Sequence, residues 1–354
     1  MQVEIYNLTV IENKINISLE AICDTFSSLL WDIEFYSPGR FEIYIAANAV
    51  NISVLTLGRL VMRSDDKNHI GIIENVQIVT DTENGDYLTV SGRFLPCLLE
   101  RRIIYPTYVG GGTYQKIVQA VITKNCIDVN KRSIPSLALG TVNGECWQHR
   151  TGLQVSYDNL MEWTYKICEN IGGSILLHLN DNNLTLDLIS GTDRSITQSE
   201  NPHIVFSDEY NNLLSFTYVS DTSVQKNFAY VFGEGEGSLR QQLRVFNGAE
   251  PTLLDRYEVY VDMRNSDEES EETDTVEKLR QAGSEALVPP QTASENTIAP
   301  LNTQYQYNRD FFVGDYVTVE HKRFELIQEK IQLVGMIESF DQNGRTLTPT
   351  FKEG

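Results

Sequence analysis

Carboxylates, cysteines and one histidine supply the candidate chemistry in this sequence. Glu234 and Glu236 in GEGEG (233–237), and the adjacent Asp208 and Glu209, are the kind of pair a glycoside hydrolase needs: one acid, one base or nucleophile. That chemistry depends on the distance between the two carboxyls, which spacing along a chain does not report. With 49 Asp and Glu in 354 residues, close pairs also arise by chance. Cys146 and His149 form C-x-x-H, and Cys126 and Cys168 would complete a Cys₃His zinc set. The second pair lacks the close ligand spacing of zinc modules, so buried thiols and a surface histidine are the preferred reading.

GEGEG resembles a phosphate loop only at first sight. It lacks the Gly-Lys-Ser/Thr ending and the G-x-G-x-x-G spacing, and its glutamates would repel phosphate. A bulge or tight turn after a strand is the better reading. Gly110, Gly111 and Gly112 precede a helical pattern, but no lysine completes an anion site, so a flexible lead-in is expected. Five scattered histidines, with no G-x-S-x-G and no H-E-x-x-H, argue against other hydrolases. The sequence nominates no catalytic, cofactor-binding or metal-binding residue, and the expectation is a protein that is not an enzyme and needs no cofactor.

Elements of two kinds must carry these residues. The first hundred positions read as strands. In FEIYI (41–45), Phe41, Ile43 and Ile45 face one way and Glu42 and Tyr44 the other. GIIENVQIVT (71–80) and DYLTVSGRF (86–94) flank Asn84-Gly85, a natural hairpin turn. The middle changes to helical spacing: Tyr114, Ile117, Val118, Val121, Ile122, then Leu160, Trp163, Ile167, Cys168, Ile171. Ser156 is a candidate cap for the second helix, and Gly172-Gly173 its stop. SILLHL (174–179) and LTLDLI (184–189) around the turn 180–183 make another hairpin. Strands resume at 203–206, 213–219, 228–234 and 256–263. TVEKLRQAGSEAL (275–287) reads as a helix stopped by Pro289-Pro290, 288–300 as a loop, and 311–351 as strand and turn.

One short β pattern occurs twice. LGRLVMR (57–63), GIIEN (71–75) and NGDYLTV (84–90) run in the same order as VGDYVTV (313–319), GMIES (335–339) and NGRTLTP (343–349). Both give a glycine turn, a strand, a G-x-I-E strand, an Asn-Gly turn and a strand with Leu-Thr. Two similar small β-barrels would produce this, and so would chance, since Gly-turn-strand patterns are common in β proteins. The expected fold is mixed α+β and β-rich: a tube-type barrel over 1–100, a small α/β insert over 101–200, and a second barrel over 201–354. The last includes an acidic loop and helix over 267–300, and strands in 201–263 could complete either barrel.

Composition narrows the class. A chain this long buries a sizeable core in two or three domains, and 41% hydrophobic content is ordinary for a globular protein. No apolar run approaches the roughly 18 residues of a membrane span, so no membrane anchor is expected. The start, MQVEIYNLTVIENKINI, lacks a basic region followed by a compact apolar stretch, so the expectation is synthesis in a cytoplasm without a signal peptide. Five widely spaced cysteines without C-x-x-C read as free thiols. Asn7, Asn16, Asn51 and Asn183 head Asn-x-Ser/Thr triplets and read as turn and strand residues. Seventeen tyrosines fit large contact surfaces and fit ordinary strands equally well. The net charge of −21 argues against specific nucleic-acid binding, which needs clustered Lys and Arg, but an acidic wall lets a polyanion pass without sticking. Residues 201–300 hold 18 acidic and 7 basic residues, a net of −11, densest in DEESEETD (267–274). A solvated, mobile loop explains that run better than a cation site.

The chain resembles the tail-hub proteins of phages and phage-tail-like particles, especially the prophage tail type of Gram-positive hosts. The matching segments are 39–61 (GRFEIYIAANAVNISVLTLGRLV), 85–106 (GDYLTVSGRFLPCLLERRIIYP), 154–172 (QVSYDNLMEWTYKICENIG), 191–218, FGEGEG (232–237) and 305–351. The resemblance implies a homotrimeric ring in which each subunit gives two tube-like β-barrels. Three subunits then present six similar barrels to a sixfold tail tube; closed symmetry makes such a ring natural. The implied partners are its own copies, tail tube and distal tail or baseplate proteins, and spike or fibre proteins below the ring, in a virion or tail-like particle assembled in the host cytoplasm. Some relatives carry a C-terminal hydrolase or fibre; this sequence stops at Gly354, just after the last barrel pattern, and none is expected. The alternatives are a receptor- or glycan-binding tail-tip protein and a cell-wall hydrolase.

Overall fold

A computed structural model describes residues 1–81, 85–180, 183–235, 240–263, 272–298 and 304–353. It is β-rich with a few helices, and its residues divide into two units, 1–216 with 295–354, and 217–294.

In the larger unit, both copies of the repeated pattern fold as antiparallel three-stranded meanders. The first is Leu60–Arg63, Asp66–Asp81 and Gly85–Phe94. The second is Tyr316–His321, Leu326–Asp341 and Gly344–Glu353. In each copy the middle strand has 16 residues and the closing strand 10. Each is bulged at or just before its G-x-I-E segment, between Ile73 and Asn75 and between Leu333 and Gly335. Gly344, at φ +115, opens the second closing strand, a backbone that L side chains resist. Asn84 of the first turn lies outside the described residues.

Both meanders belong to one thirteen-stranded sheet. From one edge its order begins Lys14–Cys23, Val3–Ile11, Leu60–Arg63, Asp66–Asp81, Gly85–Phe94, Arg40–Ala46, Ser28–Glu34, Leu326–Asp341 and Gly344–Glu353, and continues through two further strands. Pairing among the described residues runs as an open path and closes no barrel. The first meander is apolar on both faces, which is why LVM and IGII do not alternate. Val61, Ile73, Leu88 and Val90 share a core with Val317, Val319, Leu333 and Met336. Leu60, Met62, Ile70 and Ile72 face the other way, into a core with the middle of the chain.

That middle segment supplies the two expected helices, Tyr114–Ile122 and Leu160–Ile171, and the hairpin Gly173–Asn180 with Asn183–Ser190. Their apolar stripes, including Ile117, Val118, Val121, Leu160, Trp163 and Cys168, lie in the same core as Leu60 and Ile72. Three local expectations change. The second helix is capped by Asn159, whose side chain accepts from the Met161 and Glu162 N–H groups, rather than by Ser156; Gly172, at φ +72, ends it as expected. Gly110, Gly111 and Gly112 lie in the strand Tyr108–Thr113, paired with Arg150–Val155, instead of a flexible lead-in. Leu137–Val142 adds an unforeseen parallel strand to the hairpin.

The smaller unit holds a three-stranded sheet with Phe228–Phe232 at its centre, antiparallel to Gln242–Val245 and parallel to Glu258–Asp262. The helix Glu272–Ala286 places Leu279 in a core with Ala229, Val231 and Val245. Gly283 lets that helix come close: a Cβ there would meet Val245 at 2.5 Å. The helix ends ahead of Pro289, as the sequence suggests. The segment 288–300, expected to be a loop, contains the strand Gln291–Ile298. Residues 267–271 of the acidic run lie outside the described residues. No described helix is long and apolar enough to cross a membrane.

Candidate functional site

A buried polar cluster in the interior begins at Arg63, the last residue of the strand Leu60–Arg63 and only 1% exposed. A guanidinium removed from water needs acceptors for its N–H groups. Its Nε and Nη2 donate to the two carboxylate oxygens of Asp65 at 3.0 and 2.9 Å. Its Nη1 donates to Glu338 Oε1 at 2.8 Å, and Nη2 reaches Oε2 at 3.4 Å. Glu338 is fully buried and also accepts from Arg345. The rings of Phe340 and Trp31 stand 4.8 and 5.4 Å from the Arg63 guanidinium carbon, close enough for the π faces to stabilise the cation. Burial works against the charge on Arg63, but the Asp65 hydrogen bond and the Glu338 charge outweigh it and push the pKa above the usual arginine value.

Trp31 extends the cluster. Its indole Nε1 donates to Asp66 Oδ2 at 3.0 Å, and His69 Nδ1 lies 2.9 Å from the same oxygen. The Asn68 and His69 backbone N–H groups donate to Asp66 Oδ1 at 3.1 and 3.2 Å. Burial pushes the Asp66 carboxyl up, but the His69 charge and hydrogen bond, with the Trp31 indole, overcome it and hold the carboxyl at about 2.

The contact between Arg63 and Glu338 fixes the shape of the sheet. Their strands are five places apart in the sheet order. Five steps of roughly 4.8 Å would separate flat strands by about 24 Å, beyond the reach of the two side chains. The sheet must therefore curl until the two meanders face each other, with Trp31 on the intervening strand Ser28–Glu34 between them. The carboxylates of the cluster are engaged: Asp65 and Glu338 pair with Arg63, and Asp66 accepts from the Trp31 indole and lies against the His69 ring. Such a site clamps strands together.

The residues singled out in the sequence are placed elsewhere. Asp208 lies 3.3 Å from His321 and accepts from the Lys322 N–H, and Glu209 pairs with Lys322. Both carboxylates therefore pin the turn after Tyr316–His321. Glu234 is exposed after the strand Phe228–Phe232, where Gly233 N–H donates to Gln241 O and Gln241 N–H donates to Glu234 O; the expected tight turn would fall on 236–239, outside the described residues. Glu236 lies outside the described residues. Cys126 and Cys168 are buried, Cys146 half-buried and His149 exposed. Burial lifts the Cys126 thiol to about 11 and Cys168 higher still. Among the described residues no group of three His, Cys, Asp or Glu side chains could hold a metal ion. An open groove of about 420 Å³ crosses the first meander, lined by Arg40, Glu42, Glu74 and Arg93 among others. Two of its cations are paired, Arg40 with Asp32 and Arg93 with Glu74, at 3.0 and 2.8 Å.

Sequence reasoning missed the Arg63 clamp. The available signal was a charged residue ending the apolar strand LVMR and the glutamate of GMIES following the apolar Met336 and Ile337. Neither says which charge answers the other.

Comparison with known proteins agrees with this architecture. The family model described as Siphovirus ReqiPepy6 Gp37-like protein matches residues 3–351. A tail protein from Neisseria meningitidis superposes with a TM-score of 0.61 at 15% identity, covering 99% of this chain and 96% of that one. The prophage MuSo2 tail protein from Shewanella oneidensis gives 0.59 at 12% identity, over 99% and 98%. The prophage tail protein gp18 from Listeria monocytogenes gives 0.56 at 12% identity, over 100% and 95%. No curated protein sequence matches this one.

Proposed function

Because the chain belongs to the Siphovirus ReqiPepy6 Gp37-like protein family, we propose that it is a structural hub at the distal end of a phage tail or tail-like particle. Three copies form a ring, each giving two tube-type β modules, so that six similar modules meet the sixfold tail tube. Its partners are its own copies, tail tube and distal tail or baseplate proteins, and the spike or fibre proteins below.

The observation that carries this reading is the pair of meanders with matching strand order and strand lengths, 16 and 10 residues, in one sheet. One chain thereby holds two alike surfaces, the number needed to turn threefold into sixfold. The tail proteins with the same fold support the setting. Charge supports the channel: three copies of a chain at −21 line a passage that repels a polyanion. The role is structural, and a buried ion-pair cluster that joins strands at Arg63 is consistent with that.

Native mass measurement on the purified chain, alone and released from particles, tests the ring. A mass of three chains is expected; a strictly monomeric chain even within assembled particles overturns the proposal.

A further inference from the structure

The unit 217–294 displays two adjacent leucines with almost no cover. Leu253 is 92% exposed and Leu254 93%, in the single 3₁₀ turn Leu253–Asp255. Leu253 also sits at φ +55, in the left-handed region that glycine or asparagine occupies more easily. Both its exposure and its backbone are unfavourable, and no packing within the turn compensates for either.

The turn is nonetheless firmly built. Asp255 N–H donates to Thr252 O at 3.1 Å, and Asn227 Nδ2 donates to Asp255 O at 2.6 Å. Arg256 braces it from behind. Its Nη1 donates to Glu250 at 2.9 Å and to Pro251 O at 3.1 Å, its Nε to Glu258 at 2.6 Å, and its Nη2 to the Tyr230 hydroxyl at 3.0 Å. The guanidinium carbon lies 3.5 Å from the centre of the Phe228 ring. Two large apolar side chains held rigidly in water are preorganised to bind, because little freedom remains to be lost on docking.

Charge decides among occupants. Glu250, Asp255 and Glu258 stand around the turn, with Arg256 as their counter-charge. Residues 217–294 hold 15 acidic and 7 basic residues, a net of −8, in a chain of −21. At this turn an anionic bilayer, or the same acidic unit of a second copy, would meet like charge. We propose that the Leu253–Leu254 turn is a docking prong that seats in an apolar pocket, rimmed by lysine and arginine, on a different protein of the same particle. Only the particle setting rests on the tail reading above.

A photoreactive diazirine side chain at position 254, in full-length protein incorporated into particles, tests this. The expected result is a cross-link to one other particle protein, at apolar residues flanked by Lys or Arg. Cross-links to another copy of this chain, or none in particles that contain the chain, overturn the prong and leave the tail reading standing. A chain that never enters particles overturns both. Two variants guard against misfolding. L253G is expected to keep or raise the melting temperature, and L253S/L254S to keep it, while incorporation into particles falls about tenfold or more in both. Normal incorporation of either variant overturns the proposal, as does leucine-dependent binding of the purified chain to phosphatidylserine vesicles.

Discussion

Arg63 and Glu338 stand 275 residues apart in the sequence and 2.8 Å apart in the structure. They join one copy of the repeated pattern to the other, and both are buried. Losing either partner leaves a buried charge with only one counter-charge, Asp65 for Arg63 or Arg345 for Glu338. E338Q is therefore expected to destabilise the chain by about 3–5 kcal/mol, and R63M similarly. The double variant R63M/E338Q should cost clearly less than the sum of the two singles, since the charges it frees, Asp65 and Arg345, are part-exposed and can be solvated. Urea unfolding of the four proteins gives the cycle directly.

The Asp66 carboxyl, ordinarily near 3.8, is held at about 2 in the fold. A lowered carboxylate stabilises the folded state above its unfolded value and loses that contribution as pH falls towards the folded one. About 2 kcal/mol is therefore present above pH ~5 and disappears as pH falls to ~2. D66N should be less stable than the parent at pH 6, and its urea midpoint should fall less between pH 6 and pH 3.

The two bulges predict unequal tolerance at the glycine beside each. A Cβ on Gly92 would lie 1.8 Å from the Ile72 carbonyl oxygen, whereas one on Gly335 meets nothing closer than Thr350 Cβ at 3.3 Å. G92A should cost at least about 2 kcal/mol, and G335A under about 1 kcal/mol. Thermal melts of the two variants check this, and comparable losses would contradict the bulge geometry.

Glu234 is exposed after the strand Phe228–Phe232, and Asp208 and Glu209 are occupied by His321 and Lys322. A zymogram with host cell walls is expected to show no clearing by the purified chain. E234Q should leave particle assembly and infectivity unchanged.

Local patterns in the sequence carried most of the strands and helices. Alternation in FEIYI and the helical stripe from Leu160 to Ile171 each report which side of one element is buried, and both elements formed as expected. The repeat was visible because Gly, Asn-Gly and G-x-I-E fix turns and bulges through backbone geometry, which is local. Gln291–Ile298 was missed because QTASENTI has no apolar alternation. Asn159 took the cap from Ser156 because capping depends on where the helix actually begins. The Arg63 clamp was invisible for a different reason. It exists only once the sheet curls, and curl is a property of five successive pairings, not of any segment. Leu253 and Leu254 fell inside a loop, where no periodicity draws attention to an apolar pair.

The ring is tested most directly by a reconstruction of the tail tip from intact particles without imposed symmetry. The account predicts three copies of this chain around the axis, with the Leu60–Phe94 and Tyr316–Glu353 meanders alternating as six positions against the tail tube. One copy, six copies, or three copies that present only one of the two meanders to the tube would contradict it.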